Sequence, residues 1–146
     1  IPDALIAAGD ALSRGGTLRR GLDLLGWLVE AETHEDHLSV TPTGGRGPGD
    51  VRPSFDQQPI EVASIAEATA RAYRVTGEPM WLETVMKSVN WFLGENDVGV
   101  PMVDSESGGG YDGLEADGVN ANQGAESTLS MVSTMQHRTH LQPTVL

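Results

Sequence analysis

The chain contains no cysteine, which excludes a disulfide framework and any thiolate metal site. Positive charge is scarce: 9 Lys and Arg stand against 21 Asp and Glu, for a net charge of −12. Such a surface repels nucleic-acid backbones and anionic membranes, so neither is expected as a partner. No apolar run approaches the ~20 residues of a membrane span, and no secretory leader is visible. A cytoplasmic location is therefore the expectation. Several chemical motifs are missing as well. No strand-like segment precedes the glycines at 108–110 and no G-K-[ST] follows them, which removes a phosphate cradle. There is no G-x-S-x-G elbow or other nucleophile signature. The loop around Asp112 and Asp117 is rich in oxygen but lacks the order of an EF-hand.

What is present is helical periodicity. At 146 residues the chain is large enough for one core, and residues 1–146 read as a single domain. The first residue is Ile1, as expected of a fragment or C-terminal domain of a longer chain. Five segments carry a 3.6-residue apolar period. The first runs from about Asp3 to Ser13. The second follows an N-cap at Thr17, with Leu18, Leu22, Leu25 and Val29 on one stripe. The third spans Pro59 to Thr76 and stops at Gly77. The fourth starts near Pro79 and places Trp81, Val85, Val89 and Phe92 on one face. The fifth starts near Gln123 and fades toward Pro143. No segment shows strand alternation, so the fold class is all-α.

The connections carry the next inference. Helices one and two, and helices three and four, are joined by tight turns and must be antiparallel hairpins. Roughly 24 residues separate helices two and three, and nearly 30 separate four and five, lengths that usually signal function. Both long loops then emerge at the same end of the stack. A repeat reinforces this: Trp27-Leu28-Val29-Glu30 recurs at Trp91-Phe92-Leu93-Gly94-Glu95, and Gln58-x-x-Glu61 recurs at Gln123-x-x-Glu126, at an interval of about 65 residues. Stacked α-hairpins of this kind build a solenoid or an α/α toroid. About five helices with two long loops on one face predict a partial toroid, with an adjoining domain or a second copy covering its apolar helix faces.

Q-x-x-E at a helix start has two readings. With Pro59 at the first helical position, Gln58 becomes the N-cap and Glu61 the third residue, the register of a capping box. Glutamine is a poor N-cap, however. The other reading turns Gln58 and Gln123 into one polar pocket, where amides suit a hydroxyl-rich ligand. Glu61 and Glu126 lie in first turns, where the helix dipole favours the charged form. Asp104, Glu106, Asp112, Glu115 and Asp117 crowd the second long loop. Paired carboxylates are the usual equipment for glycoside hydrolysis, but no spacing selects the pair. Asp112, Glu61 and Glu126 are the candidates for catalysis. Tyr111, in a long loop, is the candidate for stacking on a sugar, whereas Trp27 and Trp91 sit mid-helix on apolar stripes and read as core.

His34-Glu35-Asp36-His37 offers two histidines at the end of helix two. Zinc needs a third ligand, and none lies at a recognisable spacing, so no metal and no cofactor are expected.

Phe55-Asp56-Gln57-Gln58-Pro59-Ile60-Glu61, Trp91-Phe92-Leu93-Gly94-Glu95-Asn96-Asp97, Tyr111-Asp112-Gly113-Leu114 and Asn120-Ala121-Asn122-Gln123-Gly124-Ala125-Glu126-Ser127-Thr128 together resemble a bacterial helical domain. That domain is found at the C-terminal end of some group 1 glycosyltransferases and also on its own. It is similar in architecture to six-hairpin glycosidases and sugar-epimerase-like toroids. The resemblance runs from about His37 to Ser130. It implies a carbohydrate ligand and brings motif positions without catalytic roles. On that basis Asp56, Gln57, Gln58, Glu61 and Tyr111, with Asp112, Asn120, Asn122, Gln123 and Glu126, are the expected ligand-binding residues. Relatives carry an aromatic-containing segment ahead of FDQQPIE, where this chain has Gly44-Gly45-Arg46-Gly47-Pro48-Gly49-Asp50. Three functions follow as expectations: a glycan-binding or processing domain of a glycosyltransferase-type protein, a glycoside hydrolase, or a purely structural interface domain.

Overall fold

Helix α3 (Pro59–Thr76) is the axis of the molecule, and its composition explains why. Ala63, Ala66, Ala68, Ala70 and Ala72 are buried along it, beside Val62 and Ile65. Short side chains on several faces let neighbouring helices approach closely. The computed structural model describes residues 1–141. In it α1 (Pro2–Ala11), α4 (Pro79–Phe92) and α5 (Ala125–Leu141) all pack against α3. α2 (Gly15–Ala31) packs chiefly on α1 and meets α3 only sparingly. The molecule is mostly helical, as its periodicity predicts.

Pro59 and Pro79 each occupy the first turn of a helix, where a missing N–H costs nothing. Gly77 closes α3 in the left-handed conformation at φ 70°, donating its N–H to Tyr73 O. Three expected boundaries move. α1 ends at Ala11, short of the expected Ser13. α2 begins at Gly15 with Arg14 as its N-cap, so Thr17 lies inside the first turn instead of ahead of it. α5 begins at Ala125, beyond Gln123. The expected fading toward Pro143 lies outside the described residues.

Two short antiparallel pairs break the all-α expectation. β1 (Thr33–His34) pairs with β2 (His37–Leu38), and β3 (Gly113–Glu115) with β4 (Gly118–Asn120). Segments of two or three residues are too short to show alternation in sequence, which is why periodicity missed them.

The core has two parts. At one end Ile6, Leu25, Ala68, Ala72 and Trp81 close the α1–α2 hairpin onto α3 and α4. At the other, Val62, Ile65, Trp91, Phe92 and Met131 are joined by Leu38, Val40, Met102 and Leu114 from the long loops. Full burial of each such side chain contributes roughly 1.5–3 kcal/mol, so these loops belong to the core. Trp91 is fully buried and meets Phe92 edge-on, with centroids 5.1 Å apart. Its repeat partner Trp27 is 63 % exposed, contrary to the core position expected for it. The cause is geometric: α2 turns Gly21 and Leu25 inward, and Trp27 falls on the opposite face.

Candidate functional site

The two long loops are laced together at the start of α3. Gln57 N donates to Leu114 O at 3.0 Å, and Leu114 N donates back to Gln57 O at 2.9 Å. On its other side Gln57 bridges to Pro42, and Thr43 N donates to Asp56 O at 2.9 Å. Residues 56–58 therefore run between the first loop and β3 as an irregular middle strand. The burial this imposes is complete for Gln57, at 0 % exposure. Its Nε2 donates to Ser54 O at 3.1 Å and to Asp97 Oδ2 at 2.6 Å. Its Oε1 is buried without a hydrogen-bond partner.

Gln58 is the N-cap of α3 in extended conformation, yet no side-chain hydrogen bond caps the helix there. The capping-box reading of Gln58 and Glu61 is thereby corrected. Asp56 and Gln58 flank Gly113 instead. A Cβ on Gly113 would lie 2.2 Å from Asp56 Oδ1 and 3.2 Å from Gln58 Nε2, so the close approach demands glycine. Asp56 Oδ1 is itself buried without a hydrogen bond. Glu61 is exposed and lines a cleft of about 600 Å3 between α1–α2 and α3, together with Leu28, Ile60 and Ser64.

The start of α5 is organised by Asp112. Its Oδ1 accepts from Gly124 N at 2.7 Å and from Ser127 Oγ at 2.6 Å. Those bonds, the Ser127 hydroxyl first and then the Gly124 N–H, hold its carboxyl below the usual range against the opposing effect of burial. Gln123 turns away toward the loop surface. Its Nε2 donates to Asp104 Oδ2 at 2.8 Å and its Oε1 accepts from Ser107 Oγ at 2.7 Å. Asp104 is held down to about 2 by the Glu106 N–H, Ser107 and Gln123. Asn120 Oδ1 accepts from Asn122 N at 3.2 Å. Tyr111 is half-buried against the loop-end core, and Asn122 and Glu126 are exposed.

Both helix starts thus meet the Asp112–Leu114 segment, with Asp56, Gln57 and Gln58 on one side and Gly124 and Ser127 on the other. Gln58 and Gln123 do not play matching parts: one lies beside Gly113, the other staples the 104–107 turn.

A second polar cluster adjoins Gln57, and sequence reading found only part of it. β1 and β2 set His34 opposite His37 across a two-residue turn, in which Glu35 takes a left-handed φ of 53°. Asp97, from the segment after α4, meets them both. His37 Nε2 lies 2.9 Å and His34 Nδ1 3.7 Å from Asp97 Oδ1, and the Asp97 side chain is only 2 % exposed. Burial pushes the Asp97 carboxyl up, but hydrogen bonds, with Gln57 first and His37 after it, outweigh burial and leave the group below its ordinary range. The side chain of Asp97 lies 60 residues from His37 in sequence, so no local spacing could reveal it.

Glu32, Arg46 and Arg52 were also invisible as a set. Arg46 Nη2 lies 3.3 Å from Glu32 Oε2 and donates to Ala31 O at 2.7 Å, while Arg52 Nη1 donates to Thr33 O at 2.9 Å. Two guanidinium groups therefore cover the carbonyl end of α2, where cations are favoured.

No protein-family model and no curated protein matches the chain. Among the described residues, no helix is long and apolar enough to cross a membrane.

Proposed function

We propose that this is a carbohydrate-binding helical domain of a glycosyltransferase-type protein, built as part of an α/α toroid, with glycan held on the long-loop face. One observation carries the reading: the Gln57–Leu114 ladder ties the two long loops together at the start of α3, where Gln58, Tyr111 and Asp112 are partly exposed. Such groups suit sugar hydroxyls, which donate and accept at once. The adjoining cleft of about 600 Å3 has a size typical of small-ligand sites and mixes carboxylate, hydroxyl and apolar lining. Trp27 and Leu129, 63 % and 68 % exposed, suit coverage by an adjoining domain or a second copy. Glycosyl transfer itself would reside in a nucleotide-sugar domain elsewhere.

The structural-interface reading is favoured by a separate observation. Asp104, Asp112 and Gln123 spend their polar atoms on loop contacts, leaving fewer groups for a ligand. The hydrolase reading gains nothing from Asp112, whose lowered pKa keeps it ionised and unsuits it for proton donation near neutrality. Glycan-array binding by the chain, followed by calorimetry on the strongest hit, tests the proposal. Saturable binding weakened by Gln58→Ala and Tyr111→Ala is the expected result; an array without saturable binding overturns it in favour of the interface.

A further inference from the structure

His34, His37 and Asp97 bring two imidazole nitrogens and a carboxylate oxygen within 4.8 Å of one another. We infer that they form a binding site for a borderline divalent cation, Zn2+ by preference, with at least one coordination position left to solvent or substrate. Around a tetrahedral zinc with bonds of about 2.0 Å, ligand atoms lie about 3.3 Å apart. The separations of 2.9 and 3.7 Å from Asp97 Oδ1 bracket that value and no pair of the three exceeds 4.8 Å, so side-chain rotations that draw the ligand atoms together complete the site. Two imidazoles select against Ca2+ and Mg2+, which prefer oxygen.

Three further features support the assignment. The Asp97 side chain is almost wholly buried, and among the described residues no Lys or Arg pairs with it. A buried carboxylate calls for a cation, and the two imidazoles are the groups that face it. The far oxygen of Asp97 is fixed by Gln57 Nε2 at 2.6 Å, the kind of outer hydrogen bond that aims a ligating carboxylate. Finally, the two rings stand nearly perpendicular, at 78° with centroids 6.2 Å apart, and are partly exposed. An ion entering from solvent would take the place of the proton shared between His37 Nε2 and Asp97 Oδ1. Three protein ligands with an open side is the arrangement of catalytic rather than structural zinc.

The test uses chelator-stripped protein titrated with Zn2+ by calorimetry and with Co2+ by visible absorption. One ion per chain, a raised thermal midpoint and cobalt d–d bands typical of nitrogen and oxygen ligation are expected. Asp97→Asn could disturb folding through Gln57, so His34→Ala is the decisive variant: the partly exposed side chain leaves the core intact. It should weaken Zn2+ binding at least about tenfold, since changes even outside the coordinating atoms commonly cost that much. His137→Ala, a histidine paired with Glu67 elsewhere, should bind as the unaltered chain does. Failure of the unaltered protein to take up one ion, unchanged affinity in His34→Ala, or loss in His137→Ala each overturns the assignment. Glycan binding is read separately, so either proposal can fail alone.

Discussion

The two long loops occupy equivalent places in the repeat, yet they are held by opposite means. The first, from Glu32 to Gln58, is anchored by buried charge. Arg46 and Glu32 have side chains only 8 % and 11 % exposed, and Glu32 also accepts from Thr41 Oγ1 at 2.7 Å. The second, from Leu93 to Gly124, sends one buried carboxylate, Asp97, across to Gln57 and His37, and is otherwise anchored by short acidic side chains bonding to nearby N–H and hydroxyl groups, largely at the surface. One loop is clamped to the end of the helix it leaves, through Arg46 and Arg52 on α2 carbonyls. The other is tied to the start of the helix it enters, through Asp112 on α5. The lesson is that repeated sequence conserves position in the stack without conserving the contacts made there. Gln58 and Gln123 match in sequence and differ in every partner.

Breaking the first loop's anchor should have the largest effect. Arg46→Ala leaves Glu32 buried beside an empty space, and removing one partner of a buried pair costs about 3–5 kcal/mol. Urea denaturation should show the loss as a lower midpoint. A change under 1 kcal/mol would mean that Glu32 is satisfied by Thr41 alone, and the contrast between the loops would narrow.

How much of this was legible beforehand follows from the range of the interactions. α3 could be read because Pro59, the alanine-rich face and Gly77 are local signals that agree with one another. The convergence of the loops could be anticipated from short turns alternating with long connections. The residues that do the anchoring could not: Arg46 to Ala31, Gln57 to Asp97 and Asp112 to Ser127 are pairings between segments that share no periodicity. Trp27 misled for a related reason. A stripe predicts which side of a helix is apolar, but α2 lacks a neighbour on one flank to bury the ring.

The second loop should yield a smaller, pH-dependent effect. Asp112→Ala removes the acceptor for Gly124 N–H and Ser127 Oγ, and loss of such a helix-start acceptor costs about 1–2 kcal/mol. Amide exchange at Gly124 should accelerate with it. Acid should act in the same direction on the unaltered chain. Asp104 and Asp112 both have folded pKa values below the unfolded value of about 3.9, so they bind protons more weakly when folded. Their stabilisation is present in full above that value and is lost as pH falls through the folded values, which for Asp104 means toward about 2. Second-loop amide protection, taken as exchange relative to the intrinsic rate at each pH, that stays flat from pH 5 to about 2 would contradict the anchoring assigned to these acids.

The smallest effect is expected at Gln123, and it is the one that sharpens the comparison most. Gln123 is exposed, and its amide joins Asp104 to Ser107 across the loop surface. Water can replace each of those bonds, so Gln123→Ala should cost no more than about 0.5 kcal/mol. Gln57→Ala, two segments away and fully buried, removes the donor to Asp97 and should cost several times as much, since the carboxylate is left with fewer partners. If the two substitutions proved equal in thermal midpoint, burial would not be what separates the loops. The distinction would then rest on Arg46 and Glu32 alone.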